Sequence, residues 1–360
     1  MSVNPLASDL DHVLAHTASL WEDLRGRRLF LTGGTGFFGC WLLESFAWAN
    51  DALGLGAEAL VLTRDRAAFA AKCPHLAAHP AIRFHEGDIR SFPFPDGAFS
   101  HVIHGATEAK ASLNRDDPLA MIETITEGTR RTLEFARRCG ADRFLLTSSG
   151  AVYGAQPPEM SHVAEDYVGA PDCARAGSAY GEGKRLAELF CAVYAEKHGL
   201  NVTIARGFAF VGPYLPLDSH FAVGNFLRDG LRGEPIQIGG DGTPFRSYLY
   251  AADLAIWLWT ILLRGRAGRT YNVGSEAALT IAQTAEAVAA HFSPAPPVRI
   301  GQPPTAGQAA ARYVPSTARA RIELGLEARV DLDEALRRTI IWNRANTRFE
   351  HQMQGKSVHD

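Results

Sequence analysis

Between Leu29 and Ala205 the chain repeats one pattern: a short apolar run, a turn, then a stretch whose apolar residues recur at helical spacing. The runs are Leu29–Thr32, Leu60–Thr63, Ile82–His85, His101–His104, Phe144–Thr147 and Val202–Ala205. They do not alternate apolar with polar, as strands with one wet face do, so they read as strands buried on both faces. Such strands, separated by helices, form a parallel sheet covered on both sides, a doubly wound α/β fold. After Arg206 the rhythm gives way to loop-rich sequence with Pro213, Pro216, Gly224, Gly230, Gly233, Pro235 and Gly239-Gly240-Asp241-Gly242. The expected organisation is an N-terminal helical extension (1–26), a sheet domain (27–205), a smaller mixed lobe with segments returning to the sheet (206–345) and a polar tail (346–360).

A length of 360 residues suits two lobes sharing a core, and 46% apolar with 21% charged residues is the balance of a folded globular chain. The net charge of −3 gives no reason to expect nucleic acid or an anionic membrane as partner. The longest apolar run, Leu254 to Leu263, is about half of what a bilayer span needs. The start, MSVNPLASDLDH, carries acids where a secretory leader carries bases, so the expected location is the cytoplasm. Cys40, Cys73, Cys139, Cys173 and Cys191 are odd in number, widely spaced and without a CxxC pair, which points to reduced, mostly buried thiols. His12 and His16 sit one helical turn apart without a third ligand nearby, and no metal is assigned. Residues 9–24 read as one amphipathic helix with Leu10, Val13, Leu14, Leu20 and Leu24 on its apolar side, and Ser293–Gln308 as a connector.

The segment LFLTGGTGFFGC places a strand directly before Gly33, Gly36 and Gly39, with Trp41, Leu42, Leu43 and Phe46 following at helical spacing. Glycines allow the sharp turn, the approach of a phosphate to the main chain and close packing of helix on strand. The helix start then offers free N–H groups to a pyrophosphate. A glycine triplet alone would serve a tight turn equally well; the strand before it and the helix after it favour a dinucleotide. The second strand ends Thr63-Arg64-Asp65, with Thr where an acid would bind the ribose 2′-hydroxyl of NAD and Arg64 immediately after. A guanidinium suits a 2′-phosphate, which leans the reading towards NADP, although a solvated surface arginine beside Asp65 fits the same residues.

Further on, Tyr180 and Lys184 share one face of a helix. A cation one turn from a phenol stabilises the phenolate, so the pair is able to exchange a proton with an alcohol or ketone. The strand Phe144–Thr147 ends in Ser148-Ser149-Gly150-Ala151-Val152-Tyr153-Gly154, at the sheet edge where open α/β folds bind ligands. A hydroxyl there reaches a reacting oxygen, or simply caps a turn.

Taken together these motifs resemble the extended short-chain dehydrogenase/reductase family, in its NAD-dependent epimerase/dehydratase branch acting on nucleotide sugars. The resemblance spans residues 27–340 and rests on Thr32–Gly39, Gly87-Asp88-Ile89, His104-Gly105-Ala106, Ser148–Gly154, Tyr180 with Lys184, Arg206 with Val211-Gly212-Pro213, and Gly240-Asp241-Gly242 with Arg246 and Asp253-Leu254. It implies a Rossmann-type NAD(P)-binding domain and a substrate-binding C-terminal lobe. Tyr180 would be the catalytic acid/base, Lys184 its pKa-lowering and ribose-holding partner, and Ser149 the hydroxyl that orients substrate. The cofactor would lie along Gly33, Thr35, Gly36, Phe37, Phe38, Gly39, Arg64, Asp88, Ile89, His104 and Ala106. Arg246 would meet the substrate diphosphate, with His220 and Asn225 as sugar ligands from the loop Leu215–Phe226. A homodimer through the helices Pro118–Cys139 and Ser178–His198 is also implied.

Three departures bear on the reaction. Gly150 and Ala151 stand where dehydratases of this family carry ionisable residues, which disfavours 4,6-dehydration unless Glu108, Lys110 or His220 enters from a loop. Ala209 replaces the family's usual Asn, and Ser247 an acid that often follows the diphosphate arginine. The expected activity is that of a nucleotide-sugar epimerase or 4-keto-reductase. A 4,6-dehydratase with nonstandard groups and an inert NADP-binding sensor or scaffold are the alternatives.

Overall fold

The computed structural model describes residues 4–107, 111–219 and 221–356, the side chains of 111–113 and 347–356 excepted. Seven parallel strands form its central sheet: β1 (Arg28–Thr32), β2 (Glu58–Thr63), β3 (Ile82–Glu86), β4 (His101–His104), β5 (Arg143–Ser149), β6 (Val202–Gly207) and Arg269–Val273. Their spatial order is Arg269–Val273, β6, β5, β4, β1, β2, β3. Chain direction of the winding reverses between β1 and β4, which opens a crevice at their carboxyl ends.

Successive residues of each strand point to opposite faces, and each face has its own core. Leu29 and Leu31, Ala59 and Val61, Ile103, Leu145 and Ala205 face α1 (Ala7–Thr17), α2 (Phe37–Leu53) and the helix Ala251–Arg264. Phe30, Leu60 and Leu62, Val102, Phe144 and Leu146, Val202 and Ile204 face the other side. After the short helices α3 (Arg66–Lys72), α4 (Pro74–Ala77) and α5 (Ala111–Asp116), that side is closed by α6 (Pro118–Cys139) and α7 (Ala179–His198), which pack on one another. The apolar run at Leu254–Leu263 belongs to a helix buried from Ala251 to Leu263. Among the described residues no helix is long and apolar enough to cross a membrane.

Beyond β6 the chain builds small sheets: Phe210–Val211 with Leu249–Tyr250, Ile236–Ile238 with Val298–Ile300, and Phe245–Arg246 between Leu279–Thr280 and Arg312–Tyr313. Three sequence expectations are corrected. The segment 9–24 is not one helix: α1 stops at Thr17 and a separate 3₁₀ turn covers Trp21–Leu24. The break lets Trp21 turn inward, where its Nε1 donates to Thr17 Oγ1 at 2.9 Å and its ring packs on Trp259. The connector Ser293–Gln308 contributes the strand Val298–Ile300, and the tail from Asn346 continues a helix that runs from Leu332 to Lys356.

Candidate active site

The glycine loop lies at the reversal point. Gly33 has φ +75°, and a Cβ there would come within 2.4 Å of the Gly105 carbonyl carbon; one on Gly39 would meet Gly34 at 2.3 Å. These two glycines let β1, the β4 turn and α2 close on each other. Gly36 is different, since a Cβ would meet only Gly33 O at 3.4 Å. It is the N-cap of α2 and supplies no side-chain cap, so the N–H groups of Phe37, Phe38 and Gly39 open the helix without a side-chain acceptor. That cradle fits a pyrophosphate, held by main chain and helix dipole. Thr35 contributes backbone too: its carbonyl accepts Lys72 Nζ at 3.0 Å. The Phe38 ring turns away and packs edge-on against Phe210.

Arg64 is exposed at the end of β2, while Asp65 accepts Ala68 N–H at 2.8 Å and is used as the N-cap of α3. Asp88 accepts both the guanidinium (2.8 Å) and the main-chain N–H (2.9 Å) of Arg90, and the Arg90 side chain is the main cause that lowers its pKa. Ile89 packs towards α6, where a Cβ on Gly128 would meet its Cγ1 at 2.9 Å. His104 needs correction as a cofactor ligand: it is 2% exposed, inside the core. Ala106 N–H donates to Thr32 Oγ1 (3.2 Å), and Thr32 is paired with His104 Nδ1 (2.8 Å), whose Nε2 is paired with Thr129 (3.1 Å). Thr129 in turn donates to Ile125 O at 2.7 Å, so the ends of this chain place the imidazole proton on Nε2. Burial pushes the His104 pKa down to about 3, and the neutral ring braces the Gly105-Ala106 turn from beneath.

Tyr180 and Lys184 start α7 on its sheet-facing side. Lys184 is 4% exposed, and its Nζ donates to Thr147 O and Thr107 Oγ1, each at 2.8 Å. Burial brings it down to about 8, with Glu188 pulling the other way. Nζ stands 6.0 Å from the Tyr180 ring centroid. Tyr180, whose N–H donates to Asn114 Oδ1 at 2.9 Å, has its pKa raised by burial and lowered by its hydrogen-bond partner Ser149. Two of the three Lys184 ammonium protons thus go to Thr147 and Thr107, and Ser149 is the neighbour that offsets part of the burial effect on Tyr180.

The two adjacent serines have divided roles. Ser148 donates to Glu188 Oε1 at 2.6 Å, and Glu188 pairs with Arg206, whose guanidinium lies 4.7 Å from the Tyr153 ring centroid. Ser149 accepts Ala151 N–H at 3.2 Å as a turn cap and also meets Tyr313 Oη at 3.3 Å. The capping reading of this serine thus holds, and its hydroxyl also meets Tyr313.

From beyond β6, Arg246 donates to Phe245 O at 2.8 Å and stands 5.6 Å from the ring centroid of Tyr313. Asn225 accepts Arg228 Nη1 at 3.1 Å on its own helix, Ala222–Arg232. His220, Glu108 and Lys110 lie outside the described residues. Among the described residues no three His, Cys, Asp or Glu side chains form a metal-holding group. His12 instead meets buried Asp253 at 3.4 Å.

Sequence reasoning missed Tyr313 and Phe208. A Cβ on Gly150 would come within 2.7 Å of the Phe208 ring and 2.9 Å of Tyr313 Oη, so these aromatics occupy the space that a side chain at 150 would enter. No local pattern marks a tyrosine that reaches Ser149 from 164 positions away.

A family model described as the NAD dependent epimerase/dehydratase family matches residues 29–274. UDP-glucuronic acid decarboxylase 1 of Arabidopsis thaliana is 30% identical over 313 residues, covering 87% of this chain and 69% of that protein. The dTDP-glucose 4,6-dehydratase DesIV of Streptomyces venezuelae, solved with NAD, is 26% identical with a TM-score of 0.74, covering 89% of this chain and 98% of its own. The UDP-glucose 4-epimerase of Thermus thermophilus, also solved with NAD, is 26% identical with a TM-score of 0.72, covering 88% and 99%.

The position of Lys184 has a measurable consequence for stability. Its folded pKa of about 8 lies below the ordinary 10.5, so between these values the unfolded chain binds the extra proton. Stability therefore rises with pH across that window. Measured by denaturant unfolding, the wild type should gain on the order of 2 kcal/mol relative to Lys184→Met between pH 7.5 and pH 10. A difference that stays flat with pH would contradict the burial of this charge.

Proposed function

The chain belongs to the NAD-dependent epimerase/dehydratase family, and we propose that it moves a hydride at a carbon, C4, of a nucleoside-diphosphate sugar, either as an epimerase that oxidises and re-reduces it or as a 4-keto-reductase that only reduces it. One observation carries this reading. Ser149, Tyr180 and Lys184 converge at the crevice while Phe208 and Tyr313 leave no room for an acid at Gly150. A bound nicotinamide dinucleotide would supply the hydride acceptor and donor. The main chain of residues 33–39 would hold its pyrophosphate, and Lys184 the ribose beside the reacting carbon. As phenolate, Tyr180 takes the proton of the sugar hydroxyl while the C–H bond breaks; as phenol it gives that proton to the ketone oxygen on reduction. Ser149 holds the oxygen in line between them, and Arg246 offers the diphosphate a planar pair of donors. Elimination of water needs a further acid and base beside Ser149, and neither Gly150 nor Ala151 provides one.

The plant decarboxylase likeness favours one further reading. Oxidation at C4 of a glucuronate makes its C6 carboxylate a β-keto acid, which leaves as carbon dioxide while its bond electrons pass into an enolate. Protonation of that enolate at C5 completes the step, without the elimination's acid–base pair.

For the dinucleotide, Arg64 is exposed at the edge of β2 while Asp65 serves as a helix cap, which supports a 2′-phosphate and hence NADP. For assembly, α7 carries exposed Leu186, Leu189 and Val193 at helical spacing, and α6 carries Leu119 at 70% exposure. A second copy covering this face would form a four-helix interface.

Incubation with UDP-glucose, UDP-glucuronate and dTDP-glucose, read by NMR, should show a 4-epimer, or a pentose from the glucuronate. A 4-keto-6-deoxy product would overturn the epimerase reading; no product from these sugars but NADPH-dependent reduction of a nucleoside-diphosphate 4-keto sugar would favour the reductase, and no reaction with either would favour a binding role. Tyr180→Phe should lower turnover by about a hundredfold or more; near-wild-type rates would remove Tyr180 from its role. In titrations NADPH should bind more tightly than NADH, and equal affinity would dismiss Arg64 as a selector. Light scattering should give a dimer that Leu189→Glu dissociates; a wild-type monomer refutes the interface.

A further inference from the structure

Tyr313 stands beside the reacting hydroxyls without a part in the scheme above. It lies on the short strand Arg312–Tyr313, where it is the register partner of Arg246. Its ring packs on Phe208 at 4.7 Å, and its Oη is 3.3 Å from Ser149 Oγ and 3.4 Å from Gly207 O.

The direction of these bonds follows from their ends. Ala151 N–H only donates, and it donates to Ser149 Oγ; Gly207 O only accepts. Tyr313 has one proton, and giving it to Gly207 O leaves its own oxygen to accept from Ser149. The remaining lone pair of Ser149 is left for the hydroxyl of Tyr180, whose pKa responds to Ser149, and with it all four donors have an acceptor. In this arrangement the Ser149 proton is committed to Tyr313 and is withheld from Tyr180 and from any sugar oxygen. The opposite direction, Tyr313 donating to Ser149, would free that proton at the expense of the bond to Gly207. Both bonds of Tyr313 are long for hydroxyl donors, so a ligand oxygen offering a shorter bond displaces them readily.

We propose that Tyr313 is a positioning residue that parks the Ser149 proton until a sugar oxygen replaces it as acceptor. This rests on the reading of Ser149 and Tyr180 as the hydroxyls that meet the sugar. The pairing of Tyr313 with Arg246 on one strand rung puts the parking group beside the residue proposed to grip the diphosphate. Engagement of a nucleotide sugar and release of the serine proton thus occur at neighbouring side chains. The same geometry accounts for Gly150: the room it leaves is the room Tyr313 Oη needs.

The test uses full-length protein with tyrosines carbon-13 labelled at Cζ, observed by NMR at neutral pH without sugar. Tyr313→Phe should shift the Tyr180 resonance, because the Ser149 proton turns to the Tyr180 oxygen. In a Ser149→Ala background the same change should leave Tyr180 where it is. An unmoved Tyr180 resonance in Tyr313→Phe, or an equal shift with and without Ser149, overturns the proposal. With a nucleotide sugar that the wild type converts, Tyr313→Phe should lower KM about fivefold and keep kcat within about twofold, because the parked state no longer competes with the ligand. A raised KM or a collapsed kcat would instead assign Tyr313 a structural or direct role. If the wild type converts no nucleotide sugar, the proposed reaction fails, and the tyrosine spectra still decide the direction of the network.

Discussion

At the carboxyl ends of β1 and β4 two turns pass so close that a methyl group on Gly33 would lie 2.4 Å from the carbonyl carbon of Gly105. That approach brings the start of α2 to the reversal of strand order, with its first N–H groups facing the crevice. It is supported from below by His104, whose neutral ring ties Thr32 to Thr129 and, through Thr32, to the main chain of Ala106. The next strand, β5, delivers Thr147 and Ser149 to the same edge, and Lys184 is fixed there by the carbonyl of Thr147. The glycine loop, serine, phenol and ammonium are therefore placed by one feature of the sheet, and a wider gap between the two turns would displace them together.

Burial sets the electrostatics of the site. Lys184 is brought down and Tyr180 up by the same desolvation, so the protein holds the pair nearer to a neutral phenol and a weakened ammonium than the spacing of the two residues suggests. Ser149 offsets part of the rise that burial imposes on the phenol. The chain beyond β6 enters here, since Tyr313, the register partner of Arg246, reaches this serine from a strand pair far along the sequence.

The sheet was legible because its signal is local. The structure places all six apolar runs in the central sheet; Ile82–His85 departs from the pattern, since it alternates apolar with polar residues and forms the half-exposed edge strand β3. The glycine loop and Tyr180 with Lys184 were legible for a similar reason, each being confined to one turn or one helix. What escaped was long-range. His104 read as a groove residue because its neighbours Gly105 and Ala106 line the turn, yet strand alternation sends its side chain into the core. Tyr313 gave no signal, because its contact with Ser149 depends on how the second lobe folds back. The helix over 9–24 broke at Thr17 because burying Trp21 against Trp259 outweighs the continuity of the helix.

The central claim is that this crevice removes a hydride from a sugar carbon and that the chain's own hydroxyls handle the proton. The most direct measurement is the fate of deuterium placed at C4 of a nucleotide sugar that the protein converts, with the product read by NMR and the rate compared with that of the protiated sugar. The account predicts slower turnover of the deuterated sugar and deuterium retained at C4 of the product, because the hydride is lent to the dinucleotide and returned. Loss of the deuterium to solvent, or conversion at an unchanged rate, would contradict it.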